Sequence, residues 1–273
     1  MDLTDKKTII GLLRSHGLWF KKSLGQNFLV DKSILDKIIE EAEITSKDTV
    51  LEIGPGLGIL TKGLCQRANK VLAIEKDEKL TEILVKTAKY FKNLKIINKD
   101  VLKIDEFYLP FKRYKLVANI PYNITGPILK KFLNSKNKPY LMILMVQKEV
   151  AEKIVAKSGN MSILSISVQF YANPKIVQVV SASSFWPKPK VDSAILKITE
   201  IKPKITKISE KSFFRCVKIG FSSPRKTLLN NLVAGYQLDK QKVKLILQKV
   251  DLKEIIRAQE LSIHDWQKLA KLI

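Results

Sequence analysis

Three glycines at alternate positions, Gly54, Gly56 and Gly58, follow an apolar run in residues 50–60, VLEIGPGLGIL. The run predicts a strand that leads through a tight turn into a helix. Backbone N–H groups of such a turn can approach a ligand closely, because glycine carries no side chain. The carboxyl group of Glu52 stands two residues before the first glycine. The stretch therefore predicts a ligand site that combines accessible backbone with one negative charge.

The glycine spacing separates two kinds of nucleotide ligand. A dinucleotide-binding turn, G-x-G-x-x-G, would need a glycine at position 59, where this chain has Ile59. A pyrophosphate would also meet the carboxylate of Glu52, whereas a ligand with an ammonium group would be attracted to it. The pattern E-x-G-x-G-x-G resembles the motif with which class I methyltransferases bind S-adenosylmethionine. The structural alternative is a tight strand-to-helix connection without a ligand.

Two more acidic residues follow the next two apolar runs. Glu75 ends the run 71–74, and Asp100 comes just after the run 94–98. An acid at the end of the second strand of a βαβ unit can accept hydrogen bonds from ribose hydroxyls. A carboxylate after the third strand can accept one from an adenine amine. A solvated acid before a helix and a helix N-cap are the respective alternatives.

The chemical centre of the chain is predicted at Asn119, Pro121 and Tyr122, at the carboxyl end of the run 114–118. The amine of adenine is a weak nucleophile, because its lone pair is delocalised into the ring. Acceptors such as the Asn119 side-chain carbonyl and a backbone carbonyl near Pro121 would draw that nitrogen towards tetrahedral geometry. The Tyr122 ring offers a face to a flipped base, a stack worth about 1–3 kcal/mol. A turn proline beside a half-buried tyrosine is the alternative.

Residues 184–193, SFWPKPKVDS, combine aromatic and basic side chains. Phe185 or Trp186 would give a second stacking face, and packing of one of them in the core is an equal alternative. Lys188 and Lys190 are suited to phosphate contacts.

A second basic stretch begins near residue 223. Ser223 and Pro224 predict a helix start, with the serine as N-cap and the proline in the first turn. Arg225 and Lys226 would then lie at the positive end of the helix dipole, which does not favour cations. This cost favours a phosphate partner, with solvated surface charge as the alternative.

The elements that must position these residues alternate between strand and helix from Thr49 onward, which predicts an α/β fold with a mostly parallel sheet. The candidate strands are 49–54, 71–75, 94–98, 114–119, 140–146 and 194–198. Residues 158–172 fit a helix or a strand equally well. Prolines and lysines after Glu200 predict a linker before a small all-α segment. We therefore predict two domains, 1–200 with the ligand site and 201–273 with helices that bind RNA.

The charge of the chain favours a polyanionic partner. Forty-nine Lys and Arg against 26 Asp and Glu give a net charge of +23, and the pI is about 9.8. Residues 201–273 contain 16 basic and 6 acidic side chains. Their net positive charge per residue is about twice that of residues 1–200.

Cys65 and Cys216 have neither C-x-x-C spacing nor a neighbouring histidine, so we expect no metal site and a reducing cytoplasm. The amino terminus lacks the apolar region of a signal peptide. The longest apolar run, residues 140–146, is too short to cross a membrane.

Eight stretches occur together along nearly the whole chain: KKSLGQNFL, LEIGPGLGILT, the acid Glu75, KDVLKID, NIPYNI, FWPKPKVDSA, FSSPRKTLLNNL and RAQELS. In this order they resemble the ribosomal RNA adenine dimethyltransferase family, and most closely its bacterial small-subunit branch. The resemblance implies a Rossmann-like class I methyltransferase domain with a seven-stranded sheet and helices on both faces. It implies S-adenosylmethionine as cofactor, S-adenosylhomocysteine as product, and N6,N6-dimethylation of two adjacent adenosines near the 3′ end of small-subunit rRNA.

The resemblance also implies roles for single residues. Gly54, Glu75 and Asp100 would bind the methionine, ribose and adenine portions of the cofactor. The further cofactor contacts are Gln26, Asn27, Leu29, Glu52, Gly56, Gly58, Lys76, Val101 and Asn119. The target amine would be positioned by Asn119, Pro121 and Tyr122, with Phe185 as the second aromatic residue. The RNA contacts would be Lys21, Lys22, Lys188, Lys190, Arg225 and Lys226.

Three positions depart from the family pattern: Pro224 where a basic residue is common, Trp186 where the residue is usually smaller, and Gly126 in place of a common threonine. A relative of the macrolide-resistance type, acting on large-subunit rRNA, is the first alternative, and the glycine turn and the RAQELS tail argue against it. A non-catalytic RNA-binding assembly or transcription factor on the same scaffold is the second, motivated by the charge. Ile59 disfavours a nucleotide-linked oxidoreductase. We expect a monomer that acts on rRNA or on the immature 30S subunit.

Overall fold

The computed structural model describes residues 2–18, 27–105, 109, 111–202 and 209–273. The chain divides into two compact units, one of Met1–Ala151 with Asn173–Ile201 and one of Glu152–Ala172 with Lys202–Ile273. The division after Ile201 lies beside the domain boundary placed from the sequence, after residue 200. Residues 152–172 also belong to the second unit, which the sequence analysis did not indicate.

All strands found in the described residues lie in the first unit. Their bounds are β1 Phe28–Leu29, β2 Thr49–Ile53, β3 Lys70–Glu75, β4 Leu94–Asn98, β5 Lys115–Asn119, β6 Leu141–Gln147, β7 Asn173–Val180, β8 Phe185–Trp186 and β9 Ser193–Thr199. Seven of them form one sheet in the order β4-β3-β2-β5-β6-β9-β7. The strands from β2 to β6 run parallel, and β9 runs antiparallel to both β6 and β7. The mostly parallel seven-stranded sheet is therefore confirmed.

The helices of the described residues are α1 Lys6–Ser15, α2 Lys32–Glu41, α3 Ile59–Cys65, α4 Glu78–Thr87, α5 Thr125–Asn134, α6 Lys148–Ile154, α7 Ile163–Gln169, α8 Glu210–Gly220, α9 Leu228–Tyr236, α10 Lys240–Lys249 and α11 Ile263–Leu272. Each of these helices is too short or too polar to span a bilayer. In the first unit, Ile38 of α2 and Leu64 of α3 join Val117 of β5 in one buried apolar cluster. Burial of such apolar faces holds helices on the sheet.

Residues 158–172, for which the sequence left helix and strand open, contain the helix α7. The short strands β1 and β8 and the edge strand β7 are absent from the predicted strands. β7 is an edge strand, and its register with β9 shifts between Ile176 and Gln178. Such a shift interrupts the alternation of buried and exposed side chains by which a strand is found in a sequence.

The order of the strands changes direction between β2 and β5. From β2 the chain continues outward to β3 and β4, whereas β5 and β6 lie on the other side of β2. The register pairs Ile53 with Ala118, so the residues that follow, Gly54 and Asn119, lie side by side at the ends of the two strands. Ligands of open α/β sheets bind at such a switch point.

A small two-stranded sheet joins two distant motifs of the first unit. Leu29 of β1 pairs with Phe185 of β8. The N–H of Val30 donates to the Ser184 carbonyl oxygen at 2.9 Å. The Ser184 hydroxyl donates to Asp31 Oδ2, also at 2.9 Å. The early NFL motif and the basic-aromatic segment are therefore neighbours, although about 155 residues separate them along the chain.

The predicted helix start at Ser223 is wrong. α9 begins at Leu228, and its N-cap is Thr227, whose side chain accepts from the N–H of Asn230. Ser223 instead closes a turn, because its carbonyl oxygen accepts from the N–H of Lys226 at 3.0 Å. The buried side-chain amide of Asn231 donates to the same carbonyl at 3.1 Å and holds this turn in place. Lys226 and its neighbour Arg225 therefore precede the helix, and the argument from an unfavourable dipole no longer applies.

Tight packing in the second unit leads to a prediction for Gly220, at the end of α8. A Cβ atom there would lie 2.3 Å from Cη2 of Trp266 and 2.9 Å from Cδ1 of Leu228. Trp266 is fully buried. We expect Gly220→Ala to lower the free energy of unfolding by about 1–3 kcal/mol, measured by urea denaturation. In Gly11→Ala the new Cβ has nothing within 4 Å, so this control should be neutral or slightly stabilising; equal losses in both variants would contradict the prediction.

Candidate active site

A cavity of about 300 Å³ opens where β2 and β5 end. Four separate stretches of the first unit bring predicted site residues to its wall. These residues are Asn27, Leu29, Glu52, Gly54, Gly56, Glu75, Lys76, Asn119, Pro121 and Tyr122. The parallel sheet causes this grouping, because the carboxyl ends of its strands meet at one edge.

The glycine turn has the backbone conformation that its sequence predicted. Gly54, Gly56 and Gly58 have φ values of 66°, 57° and 90°, in the left-handed region that disfavours side chains. A Cβ on Gly54 would lie 3.9 Å from the backbone oxygen of Asn119. The turn therefore approaches the end of β5 closely.

Gly58 has a packing role in this arrangement and does not line the cavity. It is the N-cap of α3. A Cβ there would lie 2.7 Å from Cδ1 of Leu84 on α4. The third glycine of the motif thus permits close contact between two helices, and its predicted cofactor contact stays a prediction.

Glu52 is an acid without a protein partner. Its side chain is 1% exposed, and neither carboxyl oxygen has a hydrogen-bond partner in the described part of the chain. Burial raises the pKa of this carboxyl to about 8; the nearby Thr61 hydroxyl acts to lower it, and the Glu75 carboxylate adds to the rise. A buried carboxyl group without a partner is costly, so a cationic ligand group in this cavity would relieve the cost.

Glu75 is held by three backbone N–H groups. Its Oε2 accepts from Gly56 at 3.1 Å, and its Oε1 accepts from Lys76 and Asp77 at 2.8 and 2.9 Å. Burial nevertheless raises the pKa of this carboxyl above its usual value. The carboxylate therefore ties the glycine turn to the end of β3 and faces the cavity from a fixed position.

Asp100 lies beyond the wall of the cavity and is linked to it through Lys76. The two side chains form an ion pair of 3.0 Å between Nζ and Oδ2. Asp100 also accepts from the N–H of Leu102, as the N-cap of a short 3₁₀ turn at Val101–Lys103. Burial acts to raise the pKa of Asp100, but the Lys76 ammonium and the Leu102 amide lower it below its usual value. The N-cap alternative is present, and the adenine contacts of Asp100 and Val101 stay predictions.

The chain turns sharply after Asn119. Asn119 ends β5, Pro121 follows with a φ of −55°, and Tyr122 opens a short 3₁₀ turn. The Tyr122 hydroxyl lies 2.7 Å from Oγ of Ser193, the first residue of β9. Burial raises the pKa of this hydroxyl. Both Asn119 and Tyr122 line the same cavity as the glycine turn.

Phe185 lies in the core. Its ring is 2% exposed and belongs to the same buried cluster as Ile38 and Leu64. It does not line the cavity, so this arrangement does not support its predicted stacking role, and the core alternative is the one observed. Trp186 is partly buried and packs in a second apolar cluster with Phe28.

The sequence analysis missed several residues that line the cavity. Phe28 stands between the two predicted contacts Asn27 and Leu29, and that position was a signal that it reaches the same site. The other apolar residues carry no local signal, because apolar side chains of a helix or turn look the same whether they meet a ligand or the core. These residues are Leu3, Ile9, Pro55, Leu57, Ile59, Leu60, Leu80 and Ile120. Asp77 also lines the cavity and is the N-cap of α4.

The predicted RNA contacts are exposed where the structure describes them. Lys188 and Lys190 in the first unit, and Arg225 and Lys226 in the second, have exposed side chains. Lys21, Lys22 and Gln26 lie outside the described residues.

Comparison with known proteins gives one consistent family. The model of the ribosomal RNA adenine dimethylase family matches residues 17–273. A curated relative from Dehalococcoides mccartyi, the ribosomal RNA small subunit methyltransferase A, is 42% identical over 94% of this chain and 90% of its own length.

Two solved structures are similar over most of the chain. A dimethyladenosine transferase from Plasmodium falciparum has a TM-score of 0.74 and 33% identity, and covers 88% of this chain and 94% of its own. The 23S rRNA methyltransferase ErmE also has a TM-score of 0.74, with 25% identity over 90% of this chain and 98% of its own. The fold is therefore shared with a dimethyladenosine transferase and with a 23S rRNA methyltransferase.

Proposed function

Because the chain belongs to the ribosomal RNA adenine dimethylase family, we propose that it dimethylates N6 of two adjacent adenosines near the 3′ end of small-subunit rRNA. The methyl donor is S-adenosylmethionine, and the product is S-adenosylhomocysteine. A small-subunit relative at 42% identity supports this substrate over the large subunit, whose ErmE enzyme is 25% identical. The partner is rRNA or the immature 30S subunit, and the protein acts as a monomer in the cytoplasm.

The observation that carries the proposal is the position of two motifs on one cavity. The glycine turn with Glu52 and the loop with Asn119 and Tyr122 line the same cavity. Methyl transfer needs this arrangement, because donor and acceptor must meet in one water-poor space with fixed geometry.

The cavity suits the proposed cofactor. The unpartnered carboxyl of Glu52 fits its ammonium group, and the buried carboxylate of Glu75 fits the hydroxyls of a ribose. Gly54 and Gly56 leave backbone close to the cavity, and Lys76 links the wall to Asp100. When bound, the cofactor supplies an electrophilic methyl group on a sulfonium centre.

The protein residues then act on the adenine. The Asn119 side-chain carbonyl and a backbone carbonyl near Pro121 accept hydrogen bonds from the N6 amine and localise its lone pair. The Tyr122 ring stacks on the flipped base. Asn119 is not a strong base, so the proton leaves to water once the methylated nitrogen is positively charged.

The basic surface supports an RNA partner. With a net charge of +23, the protein attracts the phosphate backbone through counterion release. We assign phosphate contacts to Lys188, Lys190, Arg225 and Lys226, which are exposed, and to Lys21 and Lys22.

The test is a methyl-transfer assay with site mapping. Purified protein and labelled S-adenosylmethionine are incubated with small subunits from cells that lack this modification, with fully methylated small subunits, and with large subunits. We expect label only in the unmethylated small subunits, at two adjacent adenosines. Label in large-subunit rRNA would support the macrolide-resistance type instead, and no label on any rRNA would defeat the proposal.

A further inference from the structure

One hydrogen bond joins the loop after β5 to a distant strand. The Tyr122 and Ser193 hydroxyl oxygens lie 2.7 Å apart, although the residues are 71 positions apart in sequence. Ser193 is fully buried at the start of β9. It pairs with Gln147 of β6 on one side and with Val180 of β7 on the other. Its hydroxyl is therefore held in a fixed place by two neighbouring strands.

The bond spans the end of β6. In the sheet, β6 lies between β5 and β9. Neighbouring strands are about 4.8 Å apart, so the loop that leaves β5 is fastened about 10 Å away, on the second strand along. The loop begins at Asn119, and the bond fixes its other end at Tyr122. The bond therefore restrains the hydroxyl end of the Tyr122 ring.

Burial of the two hydroxyl groups favours one orientation of the Tyr122 ring. Tyr122 is half-buried, and burial raises the pKa of its hydroxyl. Buried hydroxyl groups in proteins are almost always paired. A rotation of the Tyr122 ring away from Ser193 would break the pair, so one orientation of the ring is favoured.

We propose that Ser193 is a positioning residue for methyl transfer, and that its hydroxyl holds the Tyr122 ring in the orientation that receives the target adenine. This inference rests on the proposed function. Phosphate contacts elsewhere supply much of the RNA affinity, whereas the angle of the stacked base decides whether its amine meets the methyl donor. Loss of the bond therefore lowers kcat and leaves KM almost unchanged.

Two single variants each remove this bond and little else. Ser193→Ala removes one hydroxyl, and Tyr122→Phe removes the other while it keeps the aromatic face. We expect each to lower kcat about fivefold, the typical effect of one net hydrogen bond, with KM changed less than about twofold. The double variant should lose no more than either single variant, because both substitutions break the same bond.

A second measurement follows the stacking itself. An RNA fragment with 2-aminopurine at the target position, bound in the presence of S-adenosylhomocysteine, should lose fluorescence when the base stacks on Tyr122. Ser193→Ala should weaken this quenching, and Ser193→Thr, which keeps the hydroxyl, should restore it. Ser135→Ala is the matched control, since Ser135 is buried, bonds the Asn137 carbonyl oxygen at 3.0 Å and does not line the cavity.

The outcomes separate the role of Ser193 from the proposed methyl transfer itself. Wild-type kcat and quenching in Ser193→Ala, or losses that add in the double variant, would overturn the inference and leave the proposed function intact. If Ser193→Ala does not fold, Tyr122→Phe decides alone, and wild-type behaviour there has the same consequence. A wild-type protein that neither methylates nor quenches the probe would remove the proposed function, and this inference with it.

Discussion

Replacing Asn119 with alanine should reduce kcat for methyl transfer by about 10²–10³-fold, the range found when one preorganised hydrogen-bonding group is removed from an active site. Asn119 ends β5 and lines the cavity beside the glycine turn, where its side-chain oxygen accepts from the target amine in the proposed mechanism. The variant should still bind RNA. The measurement is single-turnover methyl transfer on unmethylated small subunits.

Two further variants make this result specific. Asn119→Asp keeps an acceptor oxygen and should retain more activity than Asn119→Ala. Asn134→Ala removes an exposed amide at the end of α5 and should behave like the wild type. An Asn119→Ala protein with full activity would refute the mechanism. If it loses methyl transfer yet still supports subunit assembly in cells, the non-catalytic role gains support.

The second prediction is that the free energy of unfolding decreases as pH rises from about 5 to 8 because of Glu52. The pKa of this buried carboxyl is raised from 4.5 to about 8 in the folded state. In that window the folded protein holds a proton that the unfolded chain has released, so stability falls with rising pH. One pKa unit corresponds to about 1.4 kcal/mol, so the loss amounts to about 3–4 kcal/mol across the window. Urea denaturation at a series of pH values measures it.

Glu52→Gln should flatten this dependence, because an amide does not titrate. Some slope should remain, since burial raises the pKa of Glu75 in the same direction. The control is Glu82→Gln, on the exposed side of α4, which should keep the wild-type slope. The same slope in wild type and Glu52→Gln would contradict the assignment.

The same carboxyl connects pH to cofactor binding. A cationic ligand group favours the ionised form of Glu52, so binding of S-adenosylhomocysteine should release a proton and strengthen as pH rises towards 8. Calorimetry in buffers of different ionisation enthalpy detects that proton. The effect should be absent in Glu52→Gln, and its persistence there would place the titrating group elsewhere.

The fold shows which kinds of information a sequence carries locally. The alternation of apolar runs and helical periods predicted the parallel strands to within a residue or two of their observed bounds. A continuous apolar run such as β6 is readable because a strand buried on both faces needs apolar side chains throughout. β7 was missed because its bulge breaks the period, and the helix start at Ser223 failed because the buried amide of Asn231 holds that segment in a turn.

For the site, the sequence alone determined the chemistry of the local motifs. The acids Glu52 and Glu75 lie in the last residues of their strands, and Gly54, Gly56 and the Asn119 loop come at or just after a strand end. A parallel sheet brings such strand ends to one cavity. That inference needs only the sequence, because each motif is adjacent to a predicted strand.

Only the tertiary structure decided which side chains complete that cavity. Phe28 lines it and Phe185 packs in the core, although both are aromatic residues of paired strands. Ile9 reaches the cavity from α1, and Ser193 reaches Tyr122 across β6. The physical reason is that these contacts depend on the packing of elements far apart in the chain, which no local spacing of residue types encodes.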